Sequence, residues 1–215
     1  MNRTTIDWPN LKYTWNPITG CKNNCDYCYA RRIHERFYKT SFRDIICHEN
    51  RLNDPSKVNN STIFVGSMSD IWFWNHEDKK KVIEICEYYF GNTYMFLSKN
   101  PGSYIGIAWP KNTMQGVTET LKSSIALVHY RDIIPRPYFS VEPIMGSLKR
   151  DCDYMVIVGA MTGNMKNKNK VIPKREWIDS IIDHVSPDKI WWKDNIRKQF
   201  PDLNNNNFNL TLTKG

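Results

Sequence analysis

The chain has 215 residues, of which 40% are hydrophobic and 13% aromatic, and 30 basic against 22 acidic residues give a net charge of +8. This composition excludes a disordered chain and suffices for one domain with a sizeable core. No segment is apolar enough to cross a membrane or to act as a signal peptide, so we expect a cytoplasmic protein without a membrane span. The positive charge is compatible with a polyanionic partner.

Six extended segments with strand composition follow one another along the chain. They are predicted at Lys12–Trp15, Thr62–Val65, Tyr94–Leu97, Met114–Val117, Tyr138–Val141 and Tyr154–Val158. Apolar residues at helical spacing predict helices between several of them. The stripes are Val82, Ile85, Cys86 and Tyr89; Leu121, Ile125 and Val128; and Ile178, Ile181, Ile182 and Val185.

Strands that alternate with helices indicate an α/β fold with a parallel sheet. About six such units fit in this length, whereas a closed eight-unit barrel needs about 250 residues, so we predict a partial (β/α)6 barrel. We expect a single domain over residues 1–203. The polar tail over residues 204–215 is expected to be frayed.

Charged residues follow four successive predicted strands, at Asp70, Lys99, Glu119 and Glu142. Sites in parallel α/β folds form at the carboxyl ends of the strands. Ionisable groups that converge at this edge favour a functional site over coincidence, although a turn or a helix cap is the structural alternative for each of them.

Three cysteines, Cys21, Cys25 and Cys28, are spaced C-x3-C-x2-C. In a reducing compartment this cluster indicates a metal site or a catalytic site rather than a disulfide. A zinc site completed by His34 or His48 is the alternative to an iron–sulfur cluster. His34 lies in a predicted helix among charged residues and is expected at the surface.

The other cysteines do not suggest a second metal cluster. Cys86 belongs to an apolar helical stripe and is expected in the core. Cys47 and Cys152 are isolated in the sequence.

The cysteine spacing, with the aromatic Tyr27 before the last cysteine, resembles the signature of the radical S-adenosylmethionine superfamily. The resemblance implies a [4Fe–4S] cluster held by Cys21, Cys25 and Cys28, with one iron left open for S-adenosylmethionine. One electron from the reduced cluster cleaves S-adenosylmethionine to methionine and a 5′-deoxyadenosyl radical, which abstracts hydrogen. The electron donor would be a protein such as flavodoxin or ferredoxin.

Several sequence blocks are similar to a family of short, phage-associated radical S-adenosylmethionine proteins of unknown function, which is distantly similar to spore photoproduct lyase. The blocks are TWNPITGC, CDYCYARR, CHENRLNDP, IFVGSMSD, FLSKNP, FSVEP and VIVGAMTG. A GGES-like turn of that family is GAMT here, which lacks the acidic residue. The segment IWWKDN matches the family's ending and makes Lys193 the counterpart of its lysine.

The superfamily resemblance implies roles for further residues around S-adenosylmethionine. The turn after the second strand would receive the amino group, and polar residues after the fourth and fifth strands would bind ribose hydroxyls or surround the methionine carboxylate. Backbone after the sixth strand would approach adenine, and two lysines would bind the carboxylate or an anionic substrate. The implied cofactor-binding residues are Tyr27, Gly66, Ser67, Asp70, Thr118, Glu119, Ser140, Glu142, Gly159 and Ala160, and the implied catalytic residues are Lys99, Glu142 and Lys193.

Three functional hypotheses stay open at this point. The first is a radical S-adenosylmethionine enzyme that modifies or repairs a nucleic-acid base or nucleotide; the second is the same chemistry on a peptide or small metabolite. The third is a non-enzymatic, zinc-stabilised nucleic-acid-binding module. Under the first hypothesis, DNA or RNA phosphates would contact Lys166, Lys168, Lys170, Lys174 and Arg175. Bases would stack on Trp72, Phe73 and Trp74. The alternative interpretation of the basic segment is a solvated loop, and that of the three aromatic residues is core packing.

Overall fold

A computed structural model describes residues 1–122, 134–162 and 170–209. The strands are β1 (Asn2–Arg3), β2 (Leu11–Trp15), β3 (Ile18–Thr19), β4 (Ile46–Cys47), β5 (Thr62–Val65), β6 (Thr93–Ser98), β7 (Thr113–Glu119), β8 (Pro137–Val141), β9 (Met155–Val158) and β10 (Ile190–Trp192). The helices are α1 (Tyr29–Phe37), α2 (Glu49–Leu52), α3 (His76–Tyr88), α4 (Arg175–His184) and α5 (Asp194–Arg197).

Within these residues, eight strands form one sheet in the order β1-β2-β5-β6-β7-β8-β9-β10, and β3 and β4 form a separate antiparallel pair. Every neighbouring pair of the described large sheet is parallel except β1 and β2. This confirms an α/β fold with a mostly parallel sheet. All six predicted strands are present, whereas β1, β3, β4 and β10 have only two or three residues each and gave no alternating pattern.

The prediction that the apolar stripes of the helices are buried holds only for some of their residues. In α3, Val82 and Cys86 are fully buried, and the Asn75 side chain caps the helix by accepting from the Asp78 amide at 2.8 Å. In α4, Ile182 is exposed although the stripe had placed it in the core, because one turn of helix presents only a narrow face to the sheet.

The predicted helix from Leu121 to Val128 does not begin at Leu121, whose φ of +58° lies outside the helical region. Ile125 and Val128 lie outside the described residues. No helix in the described part of the chain is long and apolar enough to cross a membrane.

Side chains on the two faces of the sheet form two different apolar clusters, as the two-residue period of a strand requires. The larger cluster packs under the helices and includes Ile63, Tyr94, Val117, Phe139 and Val156 from five neighbouring strands. The smaller cluster lies on the opposite face and contains Trp8, Phe64, Met95, Met114, Tyr138 and Ile157. The strands therefore have a buried surface on both sides.

The free edge of β10 is covered by both ends of the chain. The Asn205 side chain accepts from the Trp192 amide at 2.8 Å and donates to the Trp192 carbonyl at 3.0 Å, as a neighbouring strand would. The Trp191 indole donates to the Asp7 carbonyl at 3.2 Å and contacts the Phe208 ring at 5.2 Å. The expectation of a frayed tail is therefore wrong for the described residues 204–209, which protect an edge strand.

Candidate active site

A cavity of about 520 Å³ lies at the carboxyl ends of the parallel strands. All of the site residues predicted from the sequence line it except Glu119 and Gly159. Glu119 ends β7 beside the cavity, and burial raises the pKa of its carboxyl while the nearby Lys99 ammonium opposes that rise. The topology thus brings residues from distant parts of the chain to one place.

A sharp turn at Gly20 starts the cysteine loop. Gly20 has φ +96°, and a Cβ at this position would lie 1.9 Å from the Asp44 carbonyl oxygen. The Gly20 amide donates to the Met68 carbonyl at 3.0 Å, and its carbonyl accepts from the Ser69 hydroxyl at 2.6 Å. These bonds hold Gly20 against the turn that follows β5, so they fix the direction in which the backbone continues to Cys21.

Replacing Gly20 by alanine should therefore destabilise the fold strongly. Positive φ alone costs about 1–2 kcal/mol, and displacing the Asp44 backbone should raise the loss to about 3 kcal/mol or more. Gly106→Ala is the matched control, because Gly106 has φ +72° but no atom within 4 Å of the added Cβ. Denaturant unfolding of the two variants measures the difference, and equal losses would contradict the steric role of Gly20.

The three predicted metal ligands all face the cavity. Cys21 is buried, whereas Cys25 and Cys28 are half-buried. The Cys28 sulfur caps α1 by accepting from the Arg31 amide at 3.4 Å. Burial raises the pKa of the Cys21 thiol to about 11 and also raises that of Cys25.

Neither histidine of the zinc alternative lines the cavity. His34 is only 5% exposed, which makes its predicted surface position wrong. The segment after α1 folds back over its ring, so that Nε2 bonds the Thr40 carbonyl at 2.9 Å and the ring stacks on Tyr38. His48 is bonded through Nε2 to the Thr19 hydroxyl at 2.8 Å. Among the described residues, no group of three or more His, Cys, Asp or Glu is arranged to hold a metal ion.

Asp70 joins the cysteine loop to the ends of two strands. Its carboxylate is buried and accepts from the Asn23 amide group at 2.9 Å, the Ser98 hydroxyl at 2.6 Å and the backbone amides of Trp72 and Lys99 at 3.0 and 3.1 Å. Four donors match the acceptor capacity of a carboxylate. This geometry supports a role in positioning the loop rather than direct contact with an ammonium group.

Lys99 places a positive charge beside the cysteine loop. Its Nζ donates to the Tyr27 hydroxyl at 3.0 Å and lies 5.2 Å from the centre of the Tyr27 ring. Because Tyr27 precedes Cys28, this contact connects the end of β6 to the loop. A cation here favours an anion in the cavity.

Glu142 and Lys193 form an ion pair in the cavity wall, with 2.6 Å between Lys193 Nζ and Glu142 Oε1. Their side chains are 22% and 11% exposed. A Cβ on Gly159 would lie 2.9 Å from Lys193 Cδ and 3.0 Å from Glu142 Cδ. Gly159, which was expected to face adenine, thus gives the ion pair room over the end of β9.

Asparagine side chains that the sequence analysis missed hold the turns around the cavity. Asn195 pairs with both the amide and the carbonyl of Ala160 at 3.1 Å. Asn16 accepts from the Ser67 hydroxyl at 3.1 Å and the Met68 amide at 3.0 Å. Both follow a strand closely, where an asparagine reads as an ordinary turn residue.

The two segments predicted to contact nucleic acid have different surroundings. Trp74 is buried, Phe73 is half-buried and Trp72 is exposed, so core packing explains the position of Trp74. Arg175 is bonded to Asp179 and Asp202, each at 2.7 Å.

The remaining residues of the basic segment are only partly described. Lys166 and Lys168 lie outside the described residues. Lys170 is exposed, and Lys174 lies 3.4 Å from Glu176.

Comparison with known proteins gives one match. A family model described as "Protein of unknown function (DUF5131)" matches residues 3–199. No curated protein and no solved structure matches the chain.

Proposed function

The chain belongs to the DUF5131 family, and we propose that it is a radical S-adenosylmethionine enzyme acting on a nucleic-acid base or nucleotide. The observation that carries the proposal is the position of Cys21, Cys25 and Cys28. Their loop faces a cavity at the carboxyl ends of a parallel sheet, and the Lys99 ammonium and the Glu142–Lys193 pair line the same cavity.

The proposal includes a sheet curled into a partial barrel. Six strand spacings separate β2 from β10, which would span about 29 Å in a flat sheet. Yet Cys21, which follows β2, and Lys193, which follows β10, line one cavity of about 520 Å³. The bond between the Trp191 indole and the Asp7 carbonyl also joins the β10 edge to the segment before β2. Both observations support a curled sheet.

The donor set fits a cluster with an open iron better than a closed zinc site. Three thiols face the cavity, and no histidine is among the described residues that line it. Binding of a cluster would require the three sulfur atoms to converge, and two of the three cysteines, Cys25 and Cys28, are only half-buried. Cys28 lies at the amino end of α1 and caps that helix through its sulfur.

The chain's own residues would orient and enclose the cofactors. When bound, the cluster and S-adenosylmethionine supply a one-electron cleavage that generates a 5′-deoxyadenosyl radical. The Glu142 carboxylate uses Oε1 for Lys193 and keeps acceptor capacity for a ligand hydroxyl or ammonium group. Trp8 and Phe64 also line the cavity and would supply apolar surface that keeps water from the reacting atoms.

The net charge of +8 favours a nucleic-acid substrate over the second candidate, a peptide or small metabolite. The zinc-stabilised module would use the same thiols without this chemistry. Mass spectrometry of nucleosides from cells with and without the intact gene would identify a modified base. An unchanged nucleoside profile together with a modified peptide or metabolite would move the assignment to the second candidate.

Anaerobic reconstitution tests the cofactor assignment directly. We expect about four irons and four sulfides per chain, and dithionite with S-adenosylmethionine should then release 5′-deoxyadenosine slowly without substrate. Stoichiometric zinc with no iron uptake would instead support the binding module. A loaded and reduced cluster that releases no 5′-deoxyadenosine would overturn the proposed chemistry.

A further inference from the structure

Helix α1 presents an apolar stripe to solvent. Tyr29, Ile33 and Phe37 are spaced four residues apart, so they share one side of the helix, and they are 41%, 42% and 68% exposed. The buried residues of α1 are Ala30 and His34, on the side of the helix that adjoins the stripe. An exposed apolar surface that is bordered by polar residues is typical of an interaction site.

The stripe lies in a basic part of the chain. Residues 22–43 contain six basic and two acidic residues, a net charge of +4, which is half of the +8 of the whole chain. The six are Lys22, Arg31, Arg32, Arg36, Lys39 and Arg43. Such a segment favours an anionic partner.

Rings and cations are interleaved on this segment. The Arg36 guanidinium lies 5.3 Å from the centre of the Phe37 ring. Tyr38 follows directly and is held by stacking on His34, at 5.0 Å between ring centres, while more than half of it stays exposed. Tyr29 begins the stripe, lines the cavity and donates its hydroxyl to the Ser67 carbonyl at 2.7 Å. The stripe therefore leads from solvent to the candidate active site.

We propose that this α1 surface, formed by Tyr29, Ile33, Arg36, Phe37 and Tyr38 with Arg32 and Lys39, binds single-stranded DNA and guides it to the cavity. Unstacked bases pack on the rings while the cations contact phosphates, the combination by which proteins bind single strands. A duplex hides its base faces, so the exposed rings select a single strand. The Tyr29 hydroxyl donates its hydrogen to the Ser67 carbonyl, so this ring has no donor left for a 2′-hydroxyl, and the proposal commits to DNA.

The inference rests on the proposed function only for the statement that the bound strand is the substrate. Binding itself is measured on cluster-free protein, by fluorescence anisotropy of a labelled oligo(dT) over a range of salt concentrations. The logarithm of the binding constant should fall linearly with the logarithm of the salt concentration, and each phosphate contact should add about 0.7 to the steepness of this line. Arg32→Gln with Arg36→Gln should flatten the slope by about 1.4.

Matched controls separate a specific surface from general charge. Lys149→Gln with Arg150→Gln removes the same charge from exposed positions before β9 and should leave the slope unchanged. Phe37→Ala should weaken binding about tenfold, the effect of losing one stacked base. Phe90→Ala should have no effect, because Phe90 is 81% exposed but precedes β6, at the opposite end of the strands from the cavity.

Each contrary result has a defined meaning. Unchanged affinity and slope in the α1 variants would overturn the proposal, and so would binding of flavodoxin, an acidic protein, at α1 without DNA binding. Equal or tighter binding of oligo(U) would overturn the choice of DNA. DNA binding that depends on Phe37 in a chain that takes up no iron would retain this surface while the proposed enzymatic function fails.

Discussion

Cys25→Ala is expected to reduce the iron bound after anaerobic reconstitution from about four per chain to less than one, and to abolish 5′-deoxyadenosine formation. The loop offers three thiols to the cavity, and among the described lining residues no other cysteine or histidine can replace a lost one. Two thiolates leave two irons of a cluster without protein ligands. Iron and sulfide analysis with the visible absorption spectrum measures this effect.

Cys47→Ala is the matched control for this prediction. Cys47 is a half-buried thiol in β4, paired with Ile18, and it does not line the cavity. The control should bind iron like the parent chain. Circular dichroism should show that both variants are folded. This check is needed because Cys25, like Cys47, is half-buried, and its replacement could affect stability. A full cluster in Cys25→Ala would overturn the ligand assignment, and equal iron loss in Cys47→Ala would show that the effect comes from the fold.

The sheet was predictable from the sequence because its central strands are short apolar runs buried on both faces. Ile63 and Phe64 lie on opposite faces of β5 and belong to different apolar clusters. Because both faces are buried, the segment is a continuous apolar run, which is typical of a strand in a parallel sheet. β10 was missed because a three-residue strand needs its partners: β9 on one side and the Asn205 side chain on the other. Such pairing depends on contacts distant in sequence.

The location of the site was also predictable, whereas its internal contacts were not. Parallel strands bring their carboxyl ends together, so Lys99 and Glu142 could be placed near each other from strand order alone. The burial of His34 and the exposure of Ile182 depend on which side of a helix faces a neighbour. The contact between Gly159 and the Glu142–Lys193 pair joins three strand ends, two of which do not pair with each other.

Glu142→Gln is expected to weaken S-adenosylmethionine binding or its cleavage by about 10- to 100-fold while the cluster content stays unchanged. A charge-assisted hydrogen bond contributes about 1.5–3 kcal/mol, which converts to a loss of this size. Isothermal titration of the reconstituted protein and the rate of 5′-deoxyadenosine release measure the two effects. Glu84→Gln is the control, because Glu84 and Lys80 form an exposed pair at 3.8 Å on α3.

A stability effect must be separated from a functional one, because Glu142→Gln leaves the Lys193 ammonium with a weaker partner. Breaking a fully buried pair costs about 3–5 kcal/mol, and the exposure of 22% and 11% here lowers the expected loss to about 1–3 kcal/mol. Lys193→Met should cost a similar amount, since the Glu142 carboxylate then lacks its cation. The double variant Glu142→Gln with Lys193→Met carries neither charge and should regain part of that stability.

The double variant decides what the ion pair is for. If Glu142 contacts the bound ligand and Lys193 positions it, the double variant should be more stable than either single variant and as inactive as Glu142→Gln. Gly159→Ala should imitate this loss of activity with both charges present, because the added Cβ would lie about 3 Å from both side chains and push them apart. If the double variant instead regained activity along with stability, the pair would only hold β8 and β10 in place. The ligand would then have to be oriented by other residues of the cavity, with Lys99 beside the cysteine loop as the next to replace.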